Sequence, residues 1–325
     1  MQGKATRRAS GHQVEVGVIA PKAAPNDPTR EVVFFGTPDI SAQVLDALLV
    51  AGIRVVAVVT NPDKRRGRGG KTEASPAKQV AIDHGLEVLE SVAEAVEFLE
   101  RHGTDGVTGV VVAYGRIIRE PLLSMVPLVN LHFSLLPRWR GAAPVERAIL
   151  AGDATTGSSI MQIEAGLDTG GVYDVEEVEI DGKETVEQLR SRLGVIGARQ
   201  IIRMLREGFP VPTPQSGEPV HAEKITPEEL RIDWTRAAID ISRTVRVGGA
   251  HTFFRGSRLK VHAVVPVENT GEEGAVVSTS AEVVVAAGVG AVRLITVQPE
   301  GKKAMDARDW ANGVRPLVGE VFGSH

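Results

Sequence analysis

The chain has 325 residues, 42 % of them hydrophobic, with 37 Lys plus Arg against 41 Asp plus Glu and a net charge of -4. That length accommodates two domains with sizeable cores, and the charge balance carries no global footprint for a nucleic acid, so any such surface must be local. The lack of cysteine excludes disulfides, a thiol nucleophile and zinc sites built on thiolates, and no apolar run approaches the roughly 20 residues of a membrane helix, so a soluble, cytoplasmic protein is expected.

Residues 1–30 carry Arg7, Arg8, Pro21, Pro25 and Pro28 without a sustained hydrophobic period, which predicts a flexible extension. From Glu31 the pattern alternates. Residues 32–35 read as a short apolar strand, 40–50 as an amphipathic helix stopped by Gly52, and 53–60 as a second strand. Ser75-Pro76 is a helix start, with Ser as cap and Pro in the first turn, and Gly85 a stop. A strand and helix follow, then a strand at 110–113, a helical stretch at 120–126 and the strand carrying Asn130. Apolar strands separated by helices imply an α/β domain over 31–208, its parallel sheet covered on both faces, and sites in such sheets gather beyond the strand carboxyl ends. Tyr114, Asn130 and His132 stand where that rule expects chemistry.

Between Thr60 and Ser75 lies a basic loop with Lys64, Arg65, Arg66, Arg68 and Lys71 among Gly67, Gly69 and Gly70. Gly70-Lys71-Thr72 imitates the end of a phosphate-binding loop, but the earlier glycine would fall on Arg65. The turn at 34–39 has one glycine where a dinucleotide fingerprint needs three. Neither ATP nor NAD is supported.

Asn130 and His132 alternate on an apolar segment, so a strand there sends both side chains to one face. The segment breaks at Pro137, Arg138, Arg140 and Gly141, as a strand does at an open site, and Asp168 sits in a second Gly-flanked turn, free to approach His132. An imidazole can take a proton near neutral pH, a carboxylate can fix its tautomer, and an amide can hold a developing oxyanion. No nucleophilic side chain is needed. His132 and Asp168 could be two metal ligands, but no third is indicated by spacing, so no metal is expected.

After Asp168 a strand is predicted through Val178 and a long helix from Thr185 to Glu207. Pro210, Pro212, Pro214 and Pro219 then mark an extended, semi-rigid linker over 209–224. Beyond it, Thr226-Pro227-Glu228-Glu229 reads as a helix start, and from Phe253 short Val-rich strands alternate with Gly turns to Val297, predicting a small β-barrel domain over 225–325. Arg236, Arg243, Arg246, Arg255, Arg258 and Lys260 stand against the single acid Asp240, with His251, Phe253 and Phe254 interleaved, a patch suited to phosphates.

The run Asn130-Leu131-His132, Ser134-Leu135-Leu136-Pro137, Arg138-Trp139-Arg140-Gly141-Ala142-Ala143-Pro144 and Gly166-Leu167-Asp168-Thr169-Gly170 strongly resembles the folate-dependent formyltransferases. So do Phe35-Gly36-Thr37-Pro38-Asp39, Val111-Val112-Ala113-Tyr114-Gly115 and Gly301-Lys302-Lys303-Ala304-Met305, which extends the resemblance over about residues 32–322. It implies a Rossmann-like, mainly parallel-sheet catalytic domain followed by an OB-like barrel. The activity it implies is transfer of formyl from 10-formyltetrahydrofolate to the α-amino group of methionyl initiator tRNA, with no metal, membrane or DNA involved. His132 is then the general base, Asp168 its orienting partner and Asn130 the oxyanion donor. By the same resemblance, Ser134, Leu135, Leu136 and Pro137 line the folate, and the backbone of Val112, Ala113 and Tyr114 faces the pterin. The basic loop, Arg68 foremost, enters the tRNA acceptor-stem region, and Arg243 and Arg246 join the tRNA surface.

The sequence also departs from the family pattern. Leu128 and Phe133 stand where glycines are common, and Phe133 is expected to narrow the pocket. The turn Gly248-Gly249-Ala250-His251-Thr252 replaces a Pro-rich, Trp-containing motif, so that motif's contacts do not carry over. The rival readings are a formyltransferase or formyl-folate hydrolase acting on a small molecule, and an RNA-binding module with a degenerate catalytic domain. The basic loop and second domain argue against the former, and the joint presence of Asn130, His132 and Asp168 against the latter.

Overall fold

The computed structural model describes residues 21–65, 72–279 and 282–323. Arg7, Arg8, Arg66, Arg68 and Lys71 lie outside the described residues. The chain runs β1 (Glu31–Gly36), α1 (Asp39–Val50), β2 (Val55–Val59), β3 (Lys64–Arg65), β4 (Thr72–Glu73), α2 (Pro76–Asp83), β5 (Glu87–Leu89), α3 (Val92–His102), β6 (Val107–Val112), α4 (Leu122–Met125) and β7 (Leu128–His132). It continues through β8 (Arg140–Gly141), α5 (Pro144–Ala151), β9 (Thr155–Gln162), β10 (Val172–Glu179) and α6 (Val186–Glu207).

Seven of these strands form one sheet in the order β10-β9-β7-β6-β1-β2-β5. Its five strands from β7 to β5 are parallel, and β9 and β10 close one side as an antiparallel pair. Alternation along β1 builds both layers. Val32 and Phe34 join Val44, Leu45 and Leu48 of α1 and Leu193 and Ile201 of α6, while Val33 and Phe35 join Phe98 and Leu99 of α3 and Leu122 of α4. Helix starts follow local chemistry. Ser75 accepts from the Lys78 N–H with Pro76 in the first turn, and Thr185 and Gln188 make a reciprocal capping box. From β1 the chain crosses to β2 on one side and returns to β6 on the other, so a crevice opens at the carboxyl ends of β1 and β6.

The described part of the amino-terminal segment is docked rather than free. Ala24 is buried and donates its N–H to the Tyr173 hydroxyl, Pro25 accepts from the Phe209 N–H, and the Thr29 N–H reaches the Leu205 carbonyl. Burial of Ala24 and these backbone bonds override the prolines and tie residues 21–30 to the first domain. Boundaries shift elsewhere. The second strand starts at Val55, the strand predicted at 110–113 spans Val107–Val112 with Ala113 already left-handed (φ 46), and the helix predicted at 120–126 shrinks to α4.

The proline-rich segment is extended but packed against the first domain. Thr213 pairs with Val172, and β11 (His221–Ala222) adds to β8 in parallel. Residues 227–230 form a turn where a helix is expected. Thr226 and Glu229 do exchange reciprocal bonds, but the next backbone groups pair with the second domain, the Ile232 N–H donating to the His251 carbonyl and the His251 N–H to the Leu230 carbonyl.

The second domain contains α7 (Ala238–Val247), β12 (His251–Phe254), β13 (Ser257–Val267), β14 (Val276–Ser278), β15 (Val284–Ala286), β16 (Ala291–Pro299), β17 (Met305–Asp306) and α8 (Ala307–Val314). Its antiparallel sheet runs β12-β13-β16-β15-β14, with β17 on β16. The chain's last described residues seal the two edges: Val276 on β14 exchanges bonds with Glu320 and Gly319, and the Gly323 N–H donates to Phe253 on β12. Trp234, Phe254, Trp310 and Phe322 fill the interior with tilted and edge-to-face contacts. Among the described residues no helix is long and apolar enough to cross a membrane.

Candidate active site

The last residue of β7 is His132, buried among the loops that leave the carboxyl end of the sheet. Its Nε2 lies 2.8 Å from the Trp139 carbonyl, and its Nδ1 lies 3.6 Å from Oδ2 of Asp168. A carbonyl only accepts, so Nε2 carries a hydrogen and Nδ1 is the nitrogen turned towards the carboxylate. Both flanking residues reach the ring by left-handed backbone, Trp139 at φ 64 and Asp168 at φ 53. Such conformations persist in non-glycine residues only where their surroundings over-determine them.

Those surroundings are specific. Asp153 accepts a bidentate pair from Arg138 (2.9 and 2.7 Å) and the Trp139 indole N–H (2.8 Å), and Arg138 stacks over the Trp139 ring. These contacts hold the loop whose carbonyl meets His132. Asp168 is fixed through Oδ2, which accepts the Gly141 N–H at 2.8 Å. Gly141 itself adopts φ 120 against the Ala222 carbonyl, where a Cβ would sit 2.8 Å from that oxygen. Only glycine allows β8 to reach the carboxylate and β11 together.

Asn130, two residues before His132 on the same strand face, is half-buried, and its side-chain amide makes no hydrogen bond to a described residue. Its donors are therefore available beside the imidazole. Phe133 alternates to the opposite face and joins the core with Val145 and Ile160. It does not narrow the site, which corrects the expectation drawn from its bulk. Leu128 is accommodated by the neighbouring strand, where a Cβ on Gly109 would meet its Cδ2 at 2.2 Å. A glycine across the strand pair replaces the one missing from the segment.

The folate-lining residues have mixed roles. Ser134 is fully buried, and its hydroxyl donates to the Arg138 carbonyl while its own carbonyl accepts from Ser159. It builds the loop and presents no free hydroxyl. Leu135, Leu136 and Pro137 are half-buried. The Val112 carbonyl accepts from Ser41 and the Tyr114 carbonyl from Asn61, which also donates to Thr37. Asn61 thus joins the loops after β1, β2 and β6, a role that nothing in its sequence context signals. Asp153 is equally silent in the sequence, as is Gln215 of the joining segment, whose amide reaches both catalytic loops. The Tyr114 ring packs edge-on to Phe35, and burial pushes its phenol upward.

The basic residues separate by position. Lys64 and Arg65 form β3 and pair with β4. Arg243 and Arg246 belong to the joint between domains. Arg243 pairs with Asp240 at 2.7 Å and covers Gly152, and the half-buried Arg246 donates to the Glu184 carbonyl, its guanidinium pushed downward by burial. These contacts give both residues, expected at the tRNA surface, partners at the joint. Arg255 is likewise engaged, by Glu320. Arg258 and Lys260 remain exposed on the outer face of β13, without an ion pair to a described residue.

The family model described as "Formyl transferase" matches residues 29–205, and "Formyl transferase, C-terminal domain" matches 224–315. The methionyl-tRNA formyltransferase of Thermobifida fusca is 43 % identical over 307 residues, 90 % of this chain and 99 % of that protein. Among solved structures, the methionyl-tRNA formyltransferase of Clostridium thermocellum superposes with a TM-score of 0.53 at 16 % identity, covering 72 % of this chain and 92 % of that one. HypX of Aquifex aeolicus in complex with tetrahydrofolic acid gives a TM-score of 0.60 at 17 % identity; 90 % of this chain matches about half (48 %) of HypX. These structures share the fold, and the sequence matches carry the assignment. By these matches the chain belongs to the formyl transferase family, among the methionyl-tRNA formyltransferases.

Proposed function

We propose that the protein transfers the formyl group of 10-formyltetrahydrofolate to the α-amino group of methionyl initiator tRNA. The observation that carries this reading is His132 clamped between the Trp139 carbonyl and Asp168, beside the open amide of Asn130, in a chain whose relatives over nine-tenths of its length are methionyl-tRNA formyltransferases.

The amine attacks only as its neutral form, and α-amino groups have a reference pKa of roughly 7.7–8.0, so a proton must be removed. In this reading the amine nitrogen bonds to the formyl carbon, and His132 takes the amine proton at Nδ1, where Asp168 stabilises the resulting cation. Asn130 donates to the oxygen that becomes negative in the tetrahedral intermediate. Collapse breaks the bond to N10 of the folate, and the proton held by His132 passes to that nitrogen. Neither a nucleophilic side chain nor a redox step is required.

We assign the folate to the carboxyl end of the sheet, to Leu135, Leu136 and Pro137 after β7 and to the Val112–Tyr114 backbone at the end of the adjacent β6. The tRNA contacts are assigned to the basic segment from Lys64 to Lys71, with Arg66, Arg68 and Lys71 beyond the described residues, and to Arg258 and Lys260 on β13. The chemistry is assigned to 31–208, and tRNA binding to 225–325 together with the basic segment of the first domain. The deciding experiment measures transfer of labelled formyl to methionyl initiator tRNA, methionyl elongator tRNA and free methionine. Transfer confined to the initiator is expected. Folate binding without transfer to any tRNA would move the assignment to a small-molecule formyltransferase or a formyl-folate hydrolase.

A further inference from the structure

Gln215 lies among prolines in the segment that joins the domains, away from every motif. Yet all four hydrogen-bonding positions of its amide are engaged. Its Oε1 accepts from Arg140 Nε and Nη2 (3.0 and 2.6 Å), and its Nε2 donates to the carbonyls of Asp168 (2.9 Å) and Gly170 (2.8 Å). The backbone around it is anchored to the first domain by the Thr213–Val172 pair, the Val220 N–H to Pro137 and the β8–β11 pairing.

We propose that Gln215 is a positioning residue for the reaction, bracing the Asp168 turn against β8 and so setting the approach of Asp168 to His132. The inference rests on the catalytic reading of those two residues. Asp168 is left-handed, and its carboxylate is located by the Gly141 N–H, which sits on the same short strand that Gln215 holds through Arg140. The side chain therefore clamps the turn carrying the carboxylate and the strand carrying its donor. Misplacement of a reacting group by about 1 Å can cost on the order of a hundredfold in rate. Removing the clamp loosens both attachments together.

Two variants separate the functions of the amide. Gln215→Ala removes all four bonds, whereas Gln215→Glu keeps two acceptors for Arg140 but has no donor for the carbonyls of Asp168 and Gly170. Formyl-transfer kinetics are measured across pH for both. In parallel, the imidazole of His132 is titrated by proton–nitrogen NMR without substrate, its resonance assigned by its loss in His132→Asn. Both variants are expected to lose about ten- to hundredfold in kcat, with KM for 10-formyltetrahydrofolate nearly unchanged. The pH–rate limb and the His132 titration are expected to move in the same direction in both. A Gln215→Glu enzyme with wild-type turnover and wild-type His132 titration overturns the proposal, leaving Gln215 as an acceptor for Arg140. An unchanged titration in both variants, with only lowered thermal stability, overturns it as well. If the unmodified protein forms no formylated tRNA, the functional reading fails while the NMR titration still decides the role of Gln215.

Discussion

Two arginine-bearing regions of this protein look alike in sequence and are used alike in the fold. Arg138 and Arg140 flank the catalytic strand end and answer to Asp153 and Gln215; Arg243 and Arg246 flank the domain joint and answer to Asp240 and Glu184. None of the four presents an unengaged guanidinium. Among the described residues, polar groups without partners of this kind include the Asn130 amide beside His132, and Arg258 and Lys260 on the outer face of β13. A charged side chain in a motif identifies a built loop more reliably than it identifies a ligand contact, because a partly buried guanidinium requires partners of its own.

That contrast can be tested in order of effect. His132→Ala should lower kcat by roughly 10²–10⁴ while equilibrium binding of the folate is retained, the range for a removed general base. Asn130→Ala should cost about 10²–10³ in turnover, as for a lost oxyanion donor; an equal loss of folate affinity would remove its role. Asp153→Ala touches no reacting atom but frees Arg138 and Trp139 together. A fall in kcat of about tenfold is expected for a displaced support, along with a few degrees in melting temperature from about 1 kcal/mol of lost indole bonding. Wild-type kcat in that variant would show that the Trp139 carbonyl holds its place unaided.

The second region is sharpened by salt. Arg258→Ala with Lys260→Ala should flatten the slope of log affinity for tRNA against log salt by roughly one unit per lost phosphate contact. Arg243→Ala should lower thermal stability and leave that slope unchanged. The smallest effect concerns the joint itself. Glu229 accepts from Arg147 at 2.5 Å and from the Thr226 N–H, which hold its carboxyl below the ordinary value of 4.5. A carboxyl lowered in the folded state contributes stability that is complete above the ordinary value and lost as pH falls through the lowered one. Acid melting of Glu229→Gln should therefore separate from the wild type above the ordinary value of 4.5 and converge with it once the pH has fallen through the lowered one.

The α/β pattern, the capped helix start at Ser75, the long helix from Thr185 and the strand bearing Asn130 and His132 were legible because each depends on residues close by in the chain. The Gly-flanked turn at Asp168 was legible too, as a turn able to approach the histidine. Residues 21–30 were misread because nothing local shows that Ala24 is buried or that its N–H meets Tyr173, far along the chain. The helix expected at Thr226 carries its capping residues, but backbone pairing with β12 took the groups that would have extended it. Phe133 was misjudged by size, although period-two alternation already turned it away from His132.

By itself the sequence determined the succession of strands and helices, the face shared by Asn130 and His132, the exclusion of thiol chemistry and the family resemblance. Each follows from local periodicity, residue chemistry or motif. Only the tertiary structure decided which imidazole nitrogen faces Asp168, that Asp153 and Gln215 hold the catalytic loops, and that Arg243 and Arg246 serve the joint. Those outcomes depend on contacts between residues distant in sequence, where burial drives most polar groups to find a partner and thereby limits which remain for substrate.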